Sequence, residues 1–139
     1  MSETKQQALE DITRMVMQLL DSWKLETAQM QVLLCMPKEI RSRSFHKFRD
    51  GQMAFPDDPN VLRRASYLLR ISDALRTTYP RNPEMSGRWI RQGHRRFGKR
   101  TPLTIMLDGG EGGLIAVLSE LDCTFSWDLT GSTAMPNRH

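Results

Sequence analysis

The sequence predicts an all-α protein, and three features carry that expectation. Apolar residues recur at three- and four-residue steps, as in Ala8, Leu9, Ile12, Met15, Val16, Leu19, Leu20 and Trp23, which is the spacing of one helix face. Asp58-Pro59, Asn82-Pro83 and Thr101-Pro102 each pair a good N-cap with a proline at the first helical position, where a missing N–H loses no partner. No alternation of apolar and polar residues persists long enough for a strand, and no internal repeat is visible.

Taken in order, the first helix is followed by a shorter one carrying Leu25, Ala28, Val32 and Leu33. Pro37 suits the first turn of a third helix, with Ile40, Ser44, Phe45 and Phe48 on one side and Gly51 as its stop. The segment QMAFPDDPN then reads as a turn-rich linker. A fourth helix from Pro59 has a broad apolar face of Val61, Leu62, Ala65, Leu68, Leu69, Leu75 and Tyr79, and Pro80 ends it. A fifth carries Met85, Trp89 and Ile90. The basic loop GHRRFGKR leads into a short helix with Leu103, Ile105, Met106 and Leu107, which Asp108-Gly109-Gly110 breaks. Leu114, Val117, Leu118 and Leu121 form the stripe of the last helix. Leu103, Leu107, Leu114 and Leu118 are expected in the core. Beyond Asp122 the polar turn residues of a tail surround Phe125 and Trp127, which either fold back on the last helix or anchor a partner. The expected division is a helix-turn-helix-like region over 1–51, a small helical domain over 58–123 and a tail over 124–139.

A chain of 139 residues fits one compact domain or two very small ones sharing a core. Its 39% hydrophobic and 26% charged residues are ordinary for a globular protein. The apolar runs are too short to span a bilayer, and the first residues lack the basic-then-apolar pattern of a signal peptide. Cys35 and Cys123, with no metal-like spacing, are expected as reduced thiols in a cytoplasm. The net charge of +4 is unevenly spread. One basic cluster lies between Met36 and Arg49, and a second, with no acid, between Arg88 and Arg100, so the remainder is net acidic. Two basic patches on an acidic body suit two surfaces that meet anionic partners; the alternative is a pair of solvated helix faces.

Three short, closely spaced helices ending at a glycine fit a helix-turn-helix, whose third helix enters the major groove. At a helical period Ile40, Phe45 and Phe48 fall together, with Ser42, Arg43, His46 and Arg49 opposite and Lys47 on the flank. Arginine can read guanine edges and either cation can neutralise phosphate, so these five are the candidate DNA-binding residues. The same pattern also describes a basic surface helix in a plain bundle. Between Leu34 and Gly51 there is more chain than a compact turn and recognition helix need, so either the turn is non-standard or the helix is long.

Residues 108–113, DGGEGG, lack the preceding strand and the Gly-Lys-Ser/Thr ending of a phosphate-binding loop, and read as a reversal between helices. His46, His94 and His139 share no ligand spacing, no nucleophile–base set can be assembled, and Asp57-Asp58 reads as capping. No catalytic residue, metal or cofactor is expected, and the chain does not read as an enzyme.

From Asp58 onward, LLRISDALRTTYPRNPEMSGRWIR and then HRRFGKRTPLTIMLDGGEGGLIAVLSELD resemble the toxin-binding domain of the Xre/MbcA/ParS antitoxins. A helix, Trp, a basic loop with Phe-Gly, Pro-Leu, Met-Leu, Gly-Gly and a closing helix occur in that family's order. The amino-terminal half matches more loosely, through DSWKL, Gln29 to Leu34 and FRDG, which resemble the family's Xre-type helix-turn-helix. The resemblance implies an antitoxin of a type II system whose partner is a RES-domain toxin that consumes NAD. It further implies occlusion of the toxin's active site, repression of the operon, and a homodimer or higher assembly. By position, Trp89, Arg95, Arg96, Phe97, Leu107, Gly109 and Gly110 mark the family's loop-and-turn module. The candidate toxin-binding set is Trp89, Arg95, Arg96, Phe97, Lys99, Arg100, Asp108, Gly109, Gly110 and Trp127. The alternative is a DNA-binding regulator that uses the carboxy-terminal module to dimerise.

Overall fold

The computed structural model describes the backbone of residues 2–130 and the side chains of residues 3–122. Among them every regular element is helical: α1 (Ser2–Ser22), α2 (Thr27–Leu34), α3 (Phe45–Arg49), α4 (Pro59–Thr78), α5 (Met85–Ile90) and α6 (Pro102–Thr130). Two 3-10 turns, Ser42–Ser44 and Arg95–Phe97, complete the order. The expected all-α class holds.

On α1 the buried stripe is Leu9, Val16, Leu19 and Leu20, joined by Met17 and Thr13 and continued by Trp23 just past its end. Met15, expected on that stripe, is 44% exposed. Thr13 is tolerated inside because its hydroxyl is fully used: it donates to the Leu9 carbonyl and accepts from the Phe55 N–H, both at 2.7 Å. That second bond fixes the segment expected to be a linker. Phe55 is 1% exposed and meets Phe48 edge-on at 4.9 Å between centroids, and Phe48 meets Phe45 at 5.1 Å.

The three amino-terminal helices stop in the same way. After α1, Leu25 N–H reaches the Leu20 carbonyl and Lys24 N–H that of Asp21; after α2, Met36 reaches Gln31 and Cys35 reaches Val32. After α3, Gln52 reaches Lys47 and Gly51 reaches Phe48. Each is a Schellman closure with its pivot at positive φ, namely Lys24 at 58°, Cys35 at 52° and Gly51 at 80°.

The expected third helix is shorter than its apolar pattern implied, and Pro37 does not begin it. Residues 37–40 form a turn closed by Ile40 N–H on the Pro37 carbonyl, and Gln31 Nε2 holds the Ile40 carbonyl at 2.6 Å. Arg41 is extended (φ −86°, ψ 156°), so helical backbone starts only at Ser42. The surplus chain before Gly51 is therefore a non-standard turn. Asp58 caps α4 as expected, accepting from Asn60 and Val61 N–H at 2.8 and 3.3 Å. Asn82-Pro83 lies two residues early: α5 starts at Met85.

Helix α4 is the central element, with Val61, Ala65, Leu68, Ile71 and Leu75 buried and neighbours in α1, α2, α5 and α6. Helix α6 kinks at Gly110 (φ 60°, ψ −143°), where the sequence placed its break. Its first half buries Leu103 and Met106, its second Leu114, Val117, Leu118 and Leu121, while Leu107, expected in the core, is half-buried. One apolar cluster runs from Val16 to Leu121, so both halves of the chain share a core. Helical backbone continues to Thr130, past the expected start of a turn-rich tail, because no glycine or proline interrupts residues 114–130. The side chains of Cys123, Phe125 and Trp127 and all of His139 lie outside the described residues.

Candidate partner-binding surface

Between α5 and α6 the second basic cluster folds into a tight loop. Its neck is a backbone pair, with His94 N–H on the Arg100 carbonyl at 3.2 Å and Lys99 N–H on the His94 carbonyl at 2.9 Å. Gly98 and Lys99 both adopt positive φ, 63° and 69°, to reverse the chain within the neck. Gly93 allows the two strands to meet: a Cβ there would overlap the Lys99 carbonyl oxygen and lie 3.1 Å from its carbon. Thr101 then starts α6, its hydroxyl accepting from Thr104 N–H at 3.1 Å, with Pro102 at the first helical position.

Beneath the loop Trp89, His94 and Phe97 form an aromatic cluster. His94 packs on Trp89 at 4.8 Å between centroids and on Phe97 at 6.3 Å. His94 Nε2 lies 3.1 Å from the Trp89 carbonyl oxygen, so that nitrogen carries the proton and donates. All three rings are half-buried. The sequence singled out Trp89 and Phe97 but not His94, which joins them and anchors the loop neck.

The cations of this segment divide into two groups. Arg96 pairs with Glu120 at 3.0 Å, and Arg100 with Asp108 at 3.2 Å, so two expected contact residues hold the loop to α6. Arg91 donates to the carbonyls of Gly87 and Lys24, both at 3.2 Å, tying α5 to the turn after α1. Arg95 and Lys99 are exposed, and no carboxylate among the described residues pairs with either. On the loop itself those two are the cations presented outward; Arg88, on α5, is exposed as well.

At the kink the glycines differ in role. Gly110 has the positive φ, and Gly113 allows the two halves of α6 to touch: a Cβ there would overlap the Ile105 carbonyl oxygen and lie 3.3 Å from Met106 Cα. Gly109, expected at the site, is exposed with open space around its Cα, as is Gly112. The guanidinium of Arg64 lies 3.7 Å from where a Gly110 Cβ would stand. Arg63 binds Glu111 with both carboxylate oxygens, at 2.6 and 3.0 Å. That bonding holds the Glu111 carboxyl below its ordinary range and raises the Arg63 guanidinium above its own. Neither arginine was legible as a kink residue, since each lies more than forty positions away in sequence.

The five expected DNA-contact residues lie on Ser42–Ser44 and α3. Phe45 and Phe48 are buried beneath them, Arg43, His46, Lys47 and Arg49 are exposed, and Ser42 is half-buried. Two have partners within the chain. Arg49 grips Asp21 of α1 through two bonds of 2.8 Å, which raise its pKa further, and His46 Nδ1 donates to the Arg43 carbonyl at 2.8 Å. Among the described residues no group of His, Cys, Asp and Glu could hold a metal, and no helix is long and apolar enough to cross a membrane.

No curated protein matches the chain. Its second half is similar to the expected family: residues 74–124 match the family described as the antitoxin Xre/MbcA/ParS C-terminal toxin-binding domain. That segment begins within the last turns of α4 and contains α5, the basic loop, the kink and the start of the long second half of α6. The loop, its aromatic base and the kink thus all lie within the segment that is similar to this toxin-binding domain.

Proposed function

We propose that the protein is the antitoxin of a type II toxin–antitoxin system, that it occludes the active site of a RES-domain, NAD-consuming toxin, and that the complex represses its own operon. The observation that carries the first part is the outward pair of cations, Arg95 and Lys99, on a loop closed by backbone hydrogen bonds inside the matched toxin-binding segment. A pocket that accepts the pyrophosphate of NAD is built to attract such groups. Because the loop is already folded, little conformational entropy is lost when it docks. Trp89, Phe97, Arg96, Arg100 and Asp108 support that presentation from beneath, and Gly93 and Gly98 let the loop close.

The test is co-expression with the product of the adjacent reading frame. The protein restores growth and cellular NAD if the proposal holds; undiminished toxicity in its presence ends it. The double variant Arg95→Glu/Lys99→Glu, whose exposed sites carry no core contact, loses protection while keeping its helical circular dichroism.

Repression is supported by Arg43 on the 3-10 turn and Lys47 on α3, both exposed, next to the buried Phe45 and Phe48. The double variant Arg43→Ala/Lys47→Ala is expected to release promoter DNA in a mobility-shift assay at unchanged toxin inhibition. Retained promoter affinity would remove the recognition-helix assignment. Arg49→Ala acts differently, because its partner Asp21 belongs to the chain itself.

A further inference from the structure

We propose that the cavity beneath the basic loop receives one aromatic side chain of the bound toxin, with a neighbouring toxin carboxylate on Arg95. This rests on the toxin-binding reading above and adds a reciprocal contact: the loop enters the toxin, and the toxin enters the loop's base.

The cavity has a volume of about 250 Å3, room for one aromatic side chain. Tyr79, Trp89, His94, Phe97 and Leu121 line it, all of them inside the matched segment. Four of its nine lining residues carry rings, which favour edge-on or offset stacking with another ring over contact with an alkyl chain. His94 is fixed by its bond to the Trp89 carbonyl and its packing on both neighbours, so the walls stand ready before a ligand arrives. At the rim, Arg96 is held by Glu120, and Arg95, also lining the cavity, has no carboxylate partner among the described residues. A partner that brings its own carboxylate satisfies Arg95, since Glu120, the carboxylate that lines the cavity, is engaged by Arg96. A preformed aromatic pocket with a charged rim is also the usual setting of an interface hot spot.

The experiment measures affinity for the purified product of the adjacent reading frame by calorimetry, on the full chain. Thr78 stands at the cavity edge, so Thr78→Phe fills it; Arg95→Glu reverses the rim charge; Arg88→Glu makes the same charge change at an exposed site lining a different cavity. Thr78→Phe and Arg95→Glu are each expected to weaken binding by about tenfold or more, about 1.4 kcal/mol, while Arg88→Glu stays within about twofold of wild type. Circular dichroism and Tm accompany each variant. Should Thr78→Phe lose its fold, Thr78→Leu, which adds less bulk at the same wall, decides in its place, because Arg95→Glu weakens binding under either reading. Wild-type affinity in the cavity variants, or an equal loss in Arg88→Glu, overturns the proposal while leaving toxin binding intact. A wild-type chain that does not bind the toxin refutes the underlying reading instead. A toxin-free chain that sediments as a dimer, and as a monomer once Thr78→Phe is introduced, assigns the cavity to a second copy and also overturns the proposal.

Discussion

Alanine placed in turn at Gly109, Gly110, Gly112 and Gly113 should give opposite effects on stability within five residues. Gly109 and Gly112 have helical backbone and open space where a Cβ would stand. Alanine there gains helix propensity, worth up to about 1 kcal/mol, with less at Gly109 because it ends the first half of α6. At Gly110 the backbone (φ 60°, ψ −143°) is one that only glycine adopts readily. Alanine at that position costs roughly 1–3 kcal/mol. At Gly113 the obstacle is backbone: the new Cβ would overlap the Ile105 carbonyl oxygen and stand 3.0 Å from its carbon. The two halves of α6 must then separate, which costs roughly 1–3 kcal/mol by overpacking, and more if Leu114 and Val117 shift with them. For a chain of this size 1 kcal/mol corresponds to roughly 3–6 °C in Tm. Urea denaturation followed at 222 nm reads all four variants. The expected order is Gly112→Ala above wild type, and Gly110→Ala and Gly113→Ala below it. A Gly113→Ala chain as stable as wild type would show that the halves of α6 do not touch there, and the kink geometry would be wrong.

Lys24→Gly and Cys35→Gly, at non-glycine positions with positive φ after α1 and α2, should each raise stability by about 0.5–1 kcal/mol, since relief of left-handed strain exceeds the added chain entropy; a fall in the urea midpoint would contradict the closures. Thr13→Val removes the acceptor of Phe55 N–H and should cost roughly 1–3 kcal/mol as that buried donor loses its partner, measured in the same assay. For Glu111 the pH dependence has a fixed sign. Arg63 lowers the folded carboxyl below its ordinary 4.5, so the stabilisation is present above that value and is lost as pH falls through the folded one. The stability difference between wild type and Glu111→Gln should therefore shrink between pH 6 and pH 3, and a constant difference would argue against the pair.

What was legible in the sequence followed from local rules. Asp58-Pro59 and Thr101-Pro102 start helices where those residues stand, since capping needs only neighbours within three positions. Gly51 could be recognised as a stop, but the same closure at Lys24 and Cys35 could not, because its sequence signature is the glycine and these helices end without one. The third helix is shorter than its apolar pattern for a related reason. Ile40, Phe45 and Phe48 are all wholly or partly buried, yet Ile40 reaches the core from a turn that Gln31 holds through a bond spanning nine residues. Periodicity records which side chains face inward and is blind to the backbone that brings them there.

The functional surface shows the same limit in its charges. Read as sequence, Arg95, Arg96, Lys99 and Arg100 are equivalent cations in one run. Folding divides them, because Glu120 and Asp108 arrive from α6 to hold Arg96 and Arg100 and leave Arg95 and Lys99 outward. The exposed ion pairs contribute little stability by themselves, so their effect is on geometry: each fixes one side of the loop and thereby orients the other. His94 reinforces that arrangement through its ring and both of its backbone groups, although nothing in its sequence spacing marks it out. Which cations can meet a toxin is thus decided by acids up to twenty-four positions away from them, and it is those acids, more than the basic run, that give the surface its direction.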